Sequence, residues 1–244
     1  MFNLGYTRST SKPDHALLTP DTFVRAPLPG MKNATAIVHA APALGAAFTQ
    51  YTAEFEKGGV LGPAMAQRFV YVLEGEILLE AGEKKHRLKK DGYALIPEEL
   101  EHEISAVVTS RASIIEKSYE PLFEVEPPAL LIGNERSVNG QPLGGDEALE
   151  VRCLIPADTA FDLALNTMTF QPGATLPMVE IHVMEHGLLM LEGGGIYRLG
   201  DHWYPVTAGD FIWMAPYCPQ WFGALGKVPA KYLIYKDWNR HPIS

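Results

Sequence analysis

Short apolar runs separated by turn residues dominate this chain. Residues 69–73, 77–80, 94–96, 104–108 and 112–115 are rich in aliphatic, β-branched or aromatic side chains, and Gly, Pro or Asp punctuates them. That rhythm predicts short strands at the spacing of a sandwich or barrel. Apolar positions at helical spacing are nearly absent, so the expected class is all-β.

The pattern then repeats itself. Residues 68–82, Arg-Phe-Val-Tyr-Val-Leu-Glu-Gly-Glu-Ile-Leu-Leu-Glu-Ala-Gly, return as residues 186–200, His-Gly-Leu-Leu-Met-Leu-Glu-Gly-Gly-Gly-Ile-Tyr-Arg-Leu-Gly, at a shift of 118. Residues 91–97 match 208–216 with two extra residues, and 114–117 match 233–236. Two copies of one long unit indicate duplication rather than a solenoid. The expected division is an extended arm over 1–40, a first barrel over 41–120, a Pro- and Gly-rich connector over 121–148 and a second barrel over 149–244.

The chemistry concentrates in the second copy, in Glu180-Ile181-His182-Val183-Met184-Glu185-His186. In an extended strand Glu180, His182 and His186 share one face; in a helix Glu180 would sit off the face of the two histidines. A carboxylate and two imidazoles among apolar neighbours would be costly without a partner, and a cation supplies one. The alternative reading of the same residues is a hydrogen-bonded polar cluster. Glu185 has the opposite parity and reads as a supporting or surface acid. His15, His39, His86, His202 and His241 fall in expected turns or tails, and Cys218 reads as a small buried hydrophobe.

Composition narrows the class. With 47% hydrophobic and 20% charged residues the chain can build a core, and a net charge of -9 argues against a nucleic-acid partner. The basic run 84–90 is flanked by acids and reads as a solvated strand edge. Two cysteines form no disulfide framework, no signal or long apolar run is evident, and a cytoplasmic protein that does not enter membranes is expected.

The run Gly75-Glu76-x-x-Leu79, a turn and Gly92-Tyr93-x-x-x-Pro97, answered in the second copy by Gly193 and Gly209-Asp210-x-x-x-x-x-Pro216, resembles the grammar of the cupin superfamily in both halves. The resemblance implies two tandem double-stranded β-helix (jelly-roll) barrels. Where cupins usually offer a distal histidine, the second copy has Gln220, which joins Glu180, His182 and His186 as a fourth expected ligand. In the first copy these four positions fall on Gly62, Ala64, Arg68 and His102, so that barrel is expected to be metal-free. The donor set of two imidazoles, a carboxylate and an amide oxygen, without thiolate, favours Mn²⁺, then Fe²⁺ or Zn²⁺.

A cupin with this ligand set resembles the (S)-ureidoglycine aminohydrolase family. The similarity includes His15-Ala16-Leu17-Leu18-Thr19-Pro20-Asp21, residues 193–199 and the closing Tyr232-Leu233-Ile234-Tyr235-Lys236-Asp237. It implies a Mn²⁺-dependent second barrel that releases ammonia from (S)-ureidoglycine and gives (S)-ureidoglycolate. It also implies that Tyr197, Tyr232 and Lys236 contact a small carboxylate substrate, with Glu180, Lys236 and Tyr232 as catalytic candidates. Lys236 has a plain alternative as a solvated strand end, since Lys117 matches it in the first copy. Other cupin enzymes (a dioxygenase or an isomerase) and a metabolite-binding cupin are the competing functions. A homo-oligomer is expected.

Overall fold

A computed structural model describes residues 6–240. The chain divides into two compact units, residues 24–137 and residues 1–23 together with 138–244. In the first unit the hydrogen-bonded order is Leu131–Asn134, Gly92–Ile96, Gln67–Glu74, Ser110–Lys117, Thr49–Leu61, His102–Ala106, Glu76–Ala81 and Lys84–Lys89, with Met31–Ala40 also paired to Thr49–Leu61. In the second unit one sheet runs Thr10–Ser11, His15–Leu18, Phe211–Met214, His186–Glu192, Ala230–Asp237, Leu163–Phe170, Asp146–Cys153 and Gln141–Leu143. A smaller sheet orders His202–Thr207, Gly194–Leu199 and Gln220–Ala224. Neighbouring strands are antiparallel throughout these pairings, as the duplicated strand-and-turn pattern predicts.

The duplication is visible in burial as well as in letters. Glu76–Ala81 and Gly194–Leu199 share one alternation, with Ile77, Leu79 and Ala81 inside one unit and Gly195, Tyr197 and Leu199 inside the other. Gln67–Glu74 and His186–Glu192 are buried along nearly their whole length, which is why they read as unbroken apolar runs. Each of these strands ends at a glycine that its turn requires. Gly75 and Gly193 have φ of 80° and 63°, and a Cβ there would meet the Thr109 and Pro229 carbonyl oxygens at 2.5 and 2.3 Å. Leu-Glu-Gly therefore recurs because the backbone crosses itself there twice.

The expected boundaries shift in two places. Residues 1–40 do not form one arm. His15–Leu18 adds a strand beside Phe211–Met214 in the second unit, whereas Met31–Ala40 belongs to the first unit's sheet. The connector is not entirely irregular either, since Leu131–Asn134 pairs with Gly92–Ile96. Each unit thus takes a strand from outside its repeat, and each is tied down by an arginine on a buried aspartate. Arg136 holds Asp91 at 2.7 Å, and Arg8 holds Asp210 at 2.5 and 2.9 Å. His15 and His39 are buried strand residues rather than turn residues. His86 and His202 also lie in strands, and His241 lies outside the described residues.

Strand register corrects the alignment of the two closing strands. Arg68 stands between Ile96 and Glu116, while His186 stands between Met214 and Lys236. The first-unit counterpart of Lys236 is therefore Glu116, not Lys117. Arg68 is 3% exposed and its guanidinium is fully engaged. It contacts the Gly62 carbonyl at 2.7 Å, His102 Nε2 at 2.9 Å and the Glu116 carboxylate at 2.7–2.8 Å, and Tyr51 donates to the same carboxylate. His102 Nδ1 lies 2.8 Å from the Leu100 carbonyl, so it donates there and Nε2 accepts from Arg68. The first barrel thus places a guanidinium where the second has a histidine. Across the outer hairpin of this unit the basic run is paired with acids, Lys85 with Glu80 and Arg87 with Glu76. Among the described residues no helix is long and apolar enough to cross a membrane.

Two stability predictions follow from these groups. Breaking a largely buried ion pair strands its partner, so Arg68→Met should lower unfolding free energy by about 3 kcal/mol in a denaturant titration, and Arg68→Met with Glu116→Gln should recover part of it. His39 is 2% exposed, and burial first, then Arg111, depresses its pKa from 6.5 to about 3. The unfolded chain then takes the proton first. Stability is complete above the unfolded pKa and declines as pH falls from 6.5 toward 3. In chemical denaturation between pH 7 and 5, His39→Gln should make that decline shallower, by up to about 1.4 kcal/mol per pH unit.

Candidate metal and substrate site

The segment expected as a strand through Glu180 and His186 is a loop. Residues 176–185 hold no strand, and Glu180 makes only an isolated bridge to Gln220. Met178 and Ile181 are 66% and 60% exposed, so residues 177–181 present no buried face to anchor a strand. The loop is fixed by backbone bonds instead. Glu180 N–H donates to the Gln220 carbonyl at 2.8 Å, Gln220 N–H returns to the Glu180 carbonyl at 2.9 Å, and Tyr217 N–H donates to the His182 carbonyl at 2.7 Å. Tyr217 takes a left-handed φ of 64° to do this. The chain bends at residues 183–184, and the strand begins at His186.

Bending brings Glu180 and His182 into contact and sets the His186 ring beside them, although the donor atoms of the three do not all lie within 4.8 Å of one another. His182 Nε2 lies 3.1 Å from Glu180 Oε2, and the His182 and His186 rings are 5.3 Å apart, edge to face. Gln220 is brought to Glu180 by the paired backbone bonds, and its Oε1 accepts from the Tyr197 hydroxyl at 3.1 Å. Tyr197 stands opposite Phe222 in register and leans on its ring at 5.4 Å. That pins the phenol against the Gln220 amide.

His186 differs from its neighbours. It is 1% exposed, and neither ring nitrogen has a hydrogen-bond partner. The Glu185 and Tyr235 backbone carbonyls favour its protonated form without reaching bonding geometry. Burial, then the charges of Lys236 and His182, outweigh them and push its pKa down to about 3. The ring is therefore neutral, with a lone pair available inside the barrel. Orphaned buried nitrogens are rare because they are costly, and a ligand ion satisfies one of them.

Lys236 stands directly opposite His186 and Ala164. Burial lowers its pKa, and Glu180 partly offsets this. Tyr232 lies two pleats deeper along the same face. It is 1% exposed and packed with Phe170 and Phe222, and its hydroxyl reaches the Met168 sulfur at 3.3 Å. Burial, with Tyr197 and Glu180, raises its phenol pKa well above the usual value. Tyr232 thus belongs to the aromatic floor under the site.

Two features go beyond the sequence reading, which took Glu185 only as a supporting or surface acid. Glu185 is buried, accepts from the Trp213 indole at 3.1 Å, and its backbone N–H donates to Asp237 at 2.6 Å. This network ties the residue before His186 to the residue after Lys236. Apolar Trp213 gave no sign of it, although the acids beside both site residues were in view. The second feature is a separate group, Asp14, His15 and Cys218, whose donor atoms all lie within 4.8 Å of one another. His15 Nδ1 lies 2.9 Å from Asp14 and Nε2 2.9 Å from the Tyr204 hydroxyl, so both ring nitrogens are engaged. Burial first pushes the Cys218 thiol up to about 11. This group latches the early strand to the barrel.

Comparison with known proteins agrees with this architecture. A cupin domain model matches residues 166–235, and an EutQ-like cupin domain model matches residues 43–119. The chain is 42% identical to the (S)-ureidoglycine aminohydrolase of Arabidopsis thaliana, over 98% of this chain and 80% of that one. It is 44% identical to a probable (S)-ureidoglycine aminohydrolase of Oryza sativa subsp. japonica, over 98% and 78% of the respective chains, and 32% identical to the Escherichia coli enzyme of that name, over 92% and 88%. Among solved structures, protein Ylba from E. coli superposes with a TM-score of 0.86 at 30% identity, covering 97% of this chain and 96% of that one. A putative glyoxylate induced protein from Pseudomonas aeruginosa reaches 0.88 at 30% identity, with 97% and 93% covered. The chain therefore belongs to the (S)-ureidoglycine aminohydrolase family of tandem cupins.

Proposed function

We propose that this protein hydrolyses (S)-ureidoglycine to (S)-ureidoglycolate and ammonia, using a single divalent ion, Mn²⁺, held by Glu180, His182, His186 and Gln220. The observation that carries the metal reading is His186, a neutral buried imidazole with both nitrogens unpartnered beside a carboxylate and a second imidazole. The family supplies the substrate. The donor set suits a hard or borderline ion, and Mn²⁺ ranks before Fe²⁺ and Zn²⁺ on that ground. When bound, such an ion supplies Lewis acidity and orients a small anionic substrate.

The chain's own residues account for the rest. The reaction breaks one C–N bond at the carbon bearing the amine, adds the oxygen of water there and releases NH₃. Lys236 sits in the barrel wall beside Glu180. Its ammonium binds the substrate carboxylate, because in a partly desolvated wall that pairing is stronger than in water. Burial makes its proton easier to give up than that of an ordinary lysine, so it can also protonate a departing amine. Tyr197 holds the Gln220 oxygen in place and keeps its own proton, since burial raises its pKa. Tyr232 excludes water from the floor.

Purified protein should contain about one metal ion per chain and should release ammonia from freshly prepared ureidoglycine in a coupled assay. Glu180→Ala and His186→Ala should each lose the ion and reduce turnover by at least the ~10–100-fold that loss of even an outer partner costs a metal site. A Glu180→Ala protein with undiminished turnover would refute the site. Tyr197→Phe removes the bond to Gln220 and leaves the ring, so it should weaken metal binding about 10-fold in a competition with a chelator and leave the thermal midpoint nearly unchanged.

A further inference from the structure

We propose that Asn166 recognises the ureido end of the substrate and so sets specificity for a ureido group over other small α-substituted acids. This rests on the substrate reading above. Asn166 lies on Leu163–Phe170, the strand next to the one that carries Lys236. The register places Ala164 opposite Lys236, Asn166 opposite Ile234 and Met168 opposite Tyr232. On its other side Asn166 stands opposite Cys153.

Alternate residues of a strand share a face. Met168 and Phe170 belong to the apolar core of this unit, so Asn166 points to the same interior. Here the filling stops. Met168 and Phe170 are buried, whereas Asn166, Ala164 and Lys236 are each partly exposed, so this end of the inner face opens to solvent. A primary amide is a poor choice for a strand interior on propensity alone. Its side chain also has no hydrogen-bond partner among the described residues. Along this stretch of wall its neighbours Ala164, Val151 and Cys153 offer hydrocarbon or a weak thiol, so Asn166 is the strong donor and acceptor there.

Distance and chemistry match. The strands of His186, Lys236 and Asn166 are consecutive neighbours in the sheet. Two strand spacings, about 10 Å, separate the His186 backbone from that of Leu163–Phe170. A substrate with its amine at the metal centre and its carboxylate on Lys236 has one group left to place, the planar ureido group. That group offers a carbonyl acceptor and N–H donors, the complement of a carboxamide.

The test separates the ureido group from the rest of the ligand. Metal-loaded protein is titrated calorimetrically with (S)-ureidoglycolate and with glycolate, which keeps the carboxylate and hydroxyl and lacks the ureido group. Wild type should bind ureidoglycolate more tightly. Asn166→Ala and Asn166→Leu, the latter a near-isostere without polar atoms, should weaken ureidoglycolate about 10-fold or more and leave glycolate within about twofold. Metal content and thermal midpoint should stay at wild-type values. If both ligands weaken alike, or neither does, while wild type still releases ammonia from ureidoglycine, the assignment of Asn166 is wrong and the parent reading stands. If wild type neither releases ammonia nor binds either ligand, the parent reading falls and takes this one with it.

Discussion

Each barrel must satisfy polar donors held inside an apolar shell, and a cation is the economical way to do it. In the first unit the cation is part of the chain. The Arg68 guanidinium engages a carbonyl, an imidazole and a carboxylate, and that interior is electrically closed. In the second unit the same register position holds His186, and the opposing residue changes from Glu116 to Lys236. The change inverts the wall. A pair that neutralises itself becomes an imidazole facing a lysine charge, which is why burial first, then Lys236 and His182, disfavour protonation of the imidazole. A neutral imidazole can ligate, and a lysine only partly offset by Glu180 can receive an anion. The same two substitutions thus account for a closed first interior and for the open metal and carboxylate sites proposed in the second.

That division of labour depends on rigidity around the second interior. Gln220 is held at its backbone by Glu180 and at its side chain by Tyr197. Glu185 and Asp237 bracket His186 and Lys236, and the Trp213 indole joins them. Strands brought in from outside each repeat close the sheets, and Arg136 and Arg8 clamp the buried aspartates at their ends. The barrel strands position His186 and Gln220, and the loop before His186 carries Glu180 and His182.

Much of this was legible in the letters, for physical reasons. Strand rhythm and duplication survive in sequence because Gly75 and Gly193 have no substitute where backbone crosses backbone. The donors survive because Glu, His and Gln are the side chains that carry the required atoms. The boundaries were harder. Nothing local distinguishes residues 15–18 as a strand of the distant second unit, because their partner lies nearly two hundred residues away in sequence. The alignment of Lys117 with Lys236 failed for a related reason: an insertion between copies moves letters while register follows hydrogen bonds. Asn166 carried no motif, and Trp213 stood in the repeat as one more apolar strand residue.

The parity argument that grouped Glu180, His182 and His186 assumed an extended strand, and the chain is a loop there. Residues on one face of a strand are aligned in direction, not in position. At about 3.3 Å per residue, six steps of extended chain would separate Glu180 from His186 by about 20 Å, and no single ion with bonds near 2 Å could touch both. Convergence requires the chain to fold back. The exposed, unpaired character of Met178 and Ile181 permits this, and the bend at 183–184 with the bridge to Gln220 accomplishes it. Helical spacing would have aligned the histidines and lost the carboxylate. An irregular segment, pinned at one end by a strand start and at the other by two backbone bonds, sets a partly exposed Glu180 and His182 beside a fully buried His186. Proposed ligands drawn from loop, bridge and strand in this way grade from solvent to core, so a substrate would approach from the exposed side and the buried imidazole would hold the proposed ion from beneath.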